Sequence, residues 1–130
     1  MNITLCQINT TVGDFEGNVT KICAALTQAA ADKSDIAIFP ELVLSSYPPL
    51  DLLDRPGFFA ANEKALAVLI EKVTKIPMPP ALVVLGMITR NPEASGRCLQ
   101  NSAVVLEFKK SRYEVVFTQA KRLLPTYDVF

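Results

Sequence analysis

The 130 residues include neither histidine nor tryptophan, and 13 basic residues balance 13 acidic ones. Without histidine there is no Ser-His-Asp triad, no Cys-His pair and no histidine-bound metal, so proton transfer falls to Asp, Glu, Lys, Tyr or Cys. A formal charge of zero provides no long-range field to gather nucleic acid or an anionic membrane surface, while a half-apolar chain with 20% charged residues can bury the core of one domain.

Ile3 to Ile8 is apolar and β-branched enough to read as a buried strand, ending at Asn9-Thr10 and a loop that holds Gly13 and Gly17. Those glycines fit neither GxGxxG nor GxxxxGK, which disfavours a phosphate loop after the first strand. A helix follows, with Asn18 as a candidate cap and an apolar stripe at Val19, Ile22, Cys23, Leu26, Ala29 and Ala30. The polar cluster Asp32-Lys33-Ser34-Asp35 ends it. Ile36 to Phe39 has the length of a buried strand, and Pro40 stops it, so Glu41 falls just past the strand's carboxyl end.

Leu42 to Pro56 is proline-rich and reads as loop, with Asp51 and Asp54 as turn and helix-start residues. Phe58, Asn62, Ala65, Leu66, Leu69 and Val73 then mark a second amphipathic helix. Ala81 to Thr89 is the next buried strand. The loop Asn91 to Cys98 leads to Ala103–Leu106 and, after the basic turn at Lys109–Arg112, to Val115–Thr118; these last runs are close enough to pair as an antiparallel hairpin. The expected fold class is α/β, a mixed β-sheet with helices on at least one face.

Lys121 follows the last strand as Glu41 follows the second. Ligands of open α/β sheets bind beyond the carboxyl ends of strands, so the two residues share one crevice if their strands run parallel. There a carboxylate can carry a proton in transit and an ammonium can bind an oxyanion. The competing readings are a solvated turn glutamate and a basic surface pair, Lys121-Arg122. Tyr47 and Tyr127 are candidates for hydrogen-bonding a substrate, against the plainer role of aromatics packed beside proline on loops.

The cysteines, Cys6, Cys23 and Cys98, fit neither a disulfide framework nor a CxxC motif, which makes a reducing, cytoplasmic location the simplest expectation. Cys6 and Cys23 read as small core hydrophobes and Cys98 as a loop thiol facing solvent. The opening MNITLCQI has no basic region before its apolar stretch, and the apolar run from Ile76 to Thr89 is broken by Pro77, Pro79 and Pro80, so neither a signal peptide nor a membrane span is expected. A chain that stops on the apolar pair Val129-Phe130 reads as cut from something longer.

Residues 39–58, FPELVLSSYPPLDLLDRPGF, and 121–130, KRLLPTYDVF, resemble the carbon-nitrogen hydrolase (nitrilase) superfamily, as do the opening LCQINTTVGDFEGN and the strand LQNSAVVL. The SYPPLDLLDRPGF stretch with KxLLPTYDVF is similar in particular to the glutaminase domains of the glutamine-dependent NAD synthetases. The resemblance implies a four-layer αββα sandwich of which residues 1–130 are the amino-terminal portion, leaving sheet edge and apolar surface uncovered unless a partner covers them. It also implies a Glu-Lys-Cys triad with Glu41 and Lys121 as its first two members, Tyr47, Tyr127 and Phe130 along the glutamine pocket, and a nucleophilic cysteine further along the chain. Ser46 stands where many members have glycine, a departure that bears on the loop geometry if the position needs positive φ or a close backbone approach. No cofactor is expected in this domain; ATP and Mg belong to a synthetase domain beyond it, and the expected partners are glutamine, that domain and further copies of the chain. The alternatives are a free-standing amidase or nitrilase and a non-catalytic scaffold of the same fold.

Overall fold

A computed structural model describes residues 1–93 and 95–122. Five strands, β1 (Ile3–Leu5), β2 (Ile36–Ile38), β3 (Leu82–Arg90), β4 (Leu99–Lys109) and β5 (Arg112–Ala120), form one sheet in the order β1-β2-β3-β4-β5. The first three run parallel and are joined through helices α1 (Phe15–Ala31) and α2 (Phe58–Val73), because parallel neighbours need a long crossover; β3, β4 and β5 are antiparallel. β5 therefore points the same way as β2, and the carboxyl ends of both lie at one edge.

Both helices cover one face. Val19, Ile22, Leu26 and Ala29 of α1 and Ala65, Leu69 and Val73 of α2 pack on Ala37, Val83, Leu85, Met87, Val104, Leu106 and Tyr113 in a single core. Each fully buried leucine or isoleucine there stabilises by about 1.5–3 kcal/mol. Strand alternation places the opposite residues on the other face, where the register lines up Leu5, Ile38, Val84, Val105 and Phe117 across all five strands. Leu5 and Phe117 are 68% and 57% exposed. This is the uncovered apolar surface that the resemblance leads one to expect.

The helices keep to their predicted stripes, but α1 starts at Phe15, three residues before Asn18. Asp14 caps it, its carboxylate accepting from Gly17 N, and Asn18 is fully buried inside the helix. There its side-chain amide donates to the carbonyls of Thr11 and Leu44 and accepts from Thr11 N, tying two loops to the helix. Asp51 and Asp54 lie in a 3-10 turn, Leu50–Asp54, with Asp51 paired to Arg55; Gly57, at φ +86°, occupies the cap of α2. The strands differ from expectation mainly in length. β1 stops at Leu5, whereas β4 and β5 extend through polar residues because backbone pairing needs no apolar side chain. No helix among the described residues is long and apolar enough to cross a membrane.

Tyr113 joins hairpin to core. It is 2% exposed, its ring meets Phe108 edge-on at 5.2 Å, and its hydroxyl donates to the Pro80 carbonyl. Burial pushes that hydroxyl up from its ordinary value of 10.0. An acid that ionises less readily when folded leaves stability intact below the unfolded value and erodes it as pH rises beyond. The urea midpoint is therefore expected to fall between about pH 8 and about pH 10.5. Tyr113→Phe should lose about 1 kcal/mol at the lower pH and show a shallower alkaline decline.

Candidate active site

Glu41 is held from two sides. Leu42, directly after it, is fully buried with Ile88 against Leu53, Phe58, Phe59 and Leu99. Leu42 also adopts φ +48°, a left-handed conformation that a bulky side chain takes only when its surroundings impose it. On the other side the backbone lies on Gly86 of β3, whose N–H donates to the Pro40 carbonyl at 3.3 Å. A Cβ on Gly86 would stand 2.7 Å from Glu41 Cα and closer still to Leu42 N. Glycine is what this crossing requires. Ser46 ends the same turn at φ +64°, buried, its N–H donating to the Leu42 carbonyl; the position does take left-handed geometry, and serine adopts it.

Lys121 follows β5, and its backbone N–H donates to the Asn101 carbonyl at 2.8 Å. Its Nζ lies 2.9 Å from Glu41 Oε1. The Asn101 side-chain amide donates to that same oxygen at 2.5 Å. Lys121 and Glu41 side chains are 36% and 42% exposed, so solvent holds the pair's contribution to stability to about 1 kcal/mol or less. A contact spanning eighty residues that adds so little stability invites a chemical reading.

The three residues edge a cavity of about 350 Å³ on the face the helices leave uncovered, with Val84, Gly86 and Ala103 as its apolar floor and Gln119 beside Lys121. A carboxylate paired with an ammonium beside such a hollow can accept and return a proton while the cation binds negative charge developing on a carbonyl oxygen. No cysteine is among the described lining residues. Cys6 is buried and Cys23 half-buried, and burial pushes both thiols up, with Lys72 opposing this at Cys23. Neither favours the thiolate. Cys98 is exposed in the loop before β4, and no group of His, Cys, Asp and Glu able to hold a metal ion occurs among the described residues.

Of the residues singled out from sequence, Glu41 and Lys121 meet. Tyr47, 42% exposed and joined to Pro48 by a cis peptide bond, is not among the described residues lining the cavity. Tyr127 and Phe130 lie outside the described residues. Two contributors were not singled out. Gly86 carried a signal, since glycine inside an apolar strand marks a close backbone approach; Asn101 carried only its polarity within the apolar strand LQNSAVVL.

The pattern of the carbon-nitrogen hydrolases matches residues 2–128. The chain belongs to that family. It is 40% identical over 132 residues to the glutamine-dependent NAD(+) synthetase of Synechocystis sp., covering 98% of this chain and 22% of that protein. Another glutamine-dependent NAD(+) synthetase, from Thermotoga maritima, is 35% identical over 130 residues, all of this chain and 20% of its own. This carbon-nitrogen hydrolase segment thus spans about a fifth of the length of these curated relatives. Among solved structures, the glutamine-dependent NAD+ synthetase of Acinetobacter baumannii superposes with a TM-score of 0.74 at 26% identity, over 98% of this chain and 22% of that one. The same fold recurs in an amidase from Nesterenkonia sp., with a TM-score of 0.80 at 19% identity.

Proposed function

We propose that residues 1–130 are the amino-terminal portion of a glutaminase domain that releases ammonia from glutamine for ATP-dependent amidation of deamido-NAD to NAD. The observation that carries this reading is the approach of Lys121 Nζ to Glu41 Oε1 at a cavity beyond the ends of β2 and β5, in a chain whose relatives are glutamine-dependent NAD synthetases. On this reading the ATP- and Mg-dependent amidation is the work of a synthetase domain of the full gene product.

In this mechanism Glu41 takes the proton of a cysteine thiol contributed from beyond residue 130, and the sulfur attacks the side-chain amide carbon of glutamine. Lys121 stabilises the oxyanion of the tetrahedral intermediate. Glu41 returns the proton to the departing nitrogen as the C–N bond breaks, leaving a thioester and ammonia. It then removes a proton from water, which attacks the thioester; glutamate leaves and the thiol is restored. As the C–S bond breaks Glu41 hands the water's proton to the leaving thiolate, so it acts as base and then acid in each half of the reaction, and Lys121 keeps its charge throughout.

The test is to supply the full gene product with glutamine and measure glutamate, ammonia and NAD formed from deamido-NAD and ATP. Glutamate and NAD are expected to form together. Hydrolysis of other amides or of nitriles without action on glutamine would point to a free-standing amidase, and no hydrolysis at all to a scaffold.

A further inference from the structure

We propose that Asn101 is a positioning residue for Glu41: its buried amide fixes one carboxylate oxygen so that the other is left to carry the proton. The inference rests on the glutaminase reading and adds a residue to it. Oε1 of Glu41 accepts from both Asn101 Nδ2 and Lys121 Nζ, whereas Oε2 accepts no hydrogen bond among the described residues. A carboxylate anchored through one oxygen has its plane and its rotamer set, and the unoccupied oxygen takes the thiol proton and later gives it to the leaving nitrogen.

The two donors are not equivalent. Lys121 reaches Oε1 from the end of a long, partly exposed side chain. Asn101 is 5% exposed, lies within β4 opposite Ile88, and is held by the sheet on both sides. Its carbonyl also accepts the Lys121 backbone N–H, so one residue fixes the start of the lysine and the tip of the glutamate. The amide must present nitrogen to Glu41, because its oxygen would face a carboxylate unfavourably. Being neutral, it neither gives up a proton to Glu41 nor takes one from it. As plain filler the residue is a poor choice: a buried amide is costly unless hydrogen-bonded, and leucine fills nearly the same space without that cost.

The experiment compares wild type, Asn101→Leu and Asn101→Asp in the full gene product, reading kcat and KM for glutamine hydrolysis and the melting temperature. Leucine keeps the volume without the donor; aspartate keeps the shape and sets a second carboxylate against the first. The expected result is a fall in kcat of roughly tenfold to hundredfold for leucine and more for aspartate, as for a misplaced catalytic group. KM should hold within about twofold, since Asn101 acts on Glu41 and not on glutamine. Should the leucine variant misfold, Asn101→Ser carries the same expectation. Unchanged kcat in folded variants overturns the positioning role alone, provided that wild type is active and Glu41→Gln is not. A melting temperature that collapses in all three variants makes Asn101 structural and also overturns it. A wild-type product that leaves glutamine intact overturns the glutaminase reading, and this inference falls with it.

Discussion

Under the proposed glutaminase function, Glu41→Gln in the full gene product is expected to lower glutamine-driven NAD synthesis by at least about a hundredfold while synthesis from added ammonium continues. The amide has nearly the shape of the carboxylate but cannot take the thiol proton, and positioned proton transfer typically contributes about 10²–10⁴-fold. Lys121→Ala should cost glutamine-driven turnover roughly 10²–10³-fold through loss of the charge facing the oxyanion. The double variant should be little worse than the poorer single one, because residues that act as a unit are not additive. Ammonium bypasses both, so a coupled assay run with each nitrogen source separates chemistry from folding. The exposed pair contributes little to stability, and melting should shift only slightly. Loss of both activities in step would make the two residues structural.

Gly86→Ala is expected to damage both stability and the site, for a reason visible in one crossing of chains. The added methyl would meet the backbone of Glu41 and Leu42, which cannot rotate away as a side-chain end can, and Leu42 is locked in a buried cluster. Either β3 shifts or the turn lifts. Overpacking of this kind costs about 1–3 kcal/mol, readable as a lower denaturant midpoint with an unchanged slope. If the turn lifts, Glu41 moves with it, and a displacement near 1 Å can lower turnover on the order of a hundredfold. A variant with wild-type midpoint and wild-type glutamine turnover would mean that the sheet absorbs the methyl and that the close approach is incidental.

The helices were legible because each buries one stripe: the spacing of Val19, Ile22, Leu26 and Ala29 needs no tertiary knowledge. The mixed sheet followed from the alternation of apolar runs and helices, with Pro40 ending one run beside Glu41 and Lys121 ending another; that both face one crevice depended on their strands running parallel, which the sheet topology supplies. Asn18 misled because a polar residue near a helix start reads as a cap, whereas here it satisfies two loop segments brought over the helix by the fold. Asn101 and Gly86 act through register: Asn101 lies opposite Ile88, Gly86 opposite Ala103, and the turn after β2 crosses both. Such crossings are set by tertiary pairing, and local spacing does not encode them.

In the β4–β5 hairpin, Leu106 pairs with Val115 and Val105 with Phe117, so Val116 has no opposite number. Because side chains in a strand alternate, one supernumerary residue inverts the parity of everything after it. With Val116 skipped, Phe117 and Gln119 join the face of Val105 and Ala103, and the strand delivers its terminal cation to the side where the carboxylate waits. Hairpin length, more than the identity of its residues, decides on which side of the molecule that charge emerges.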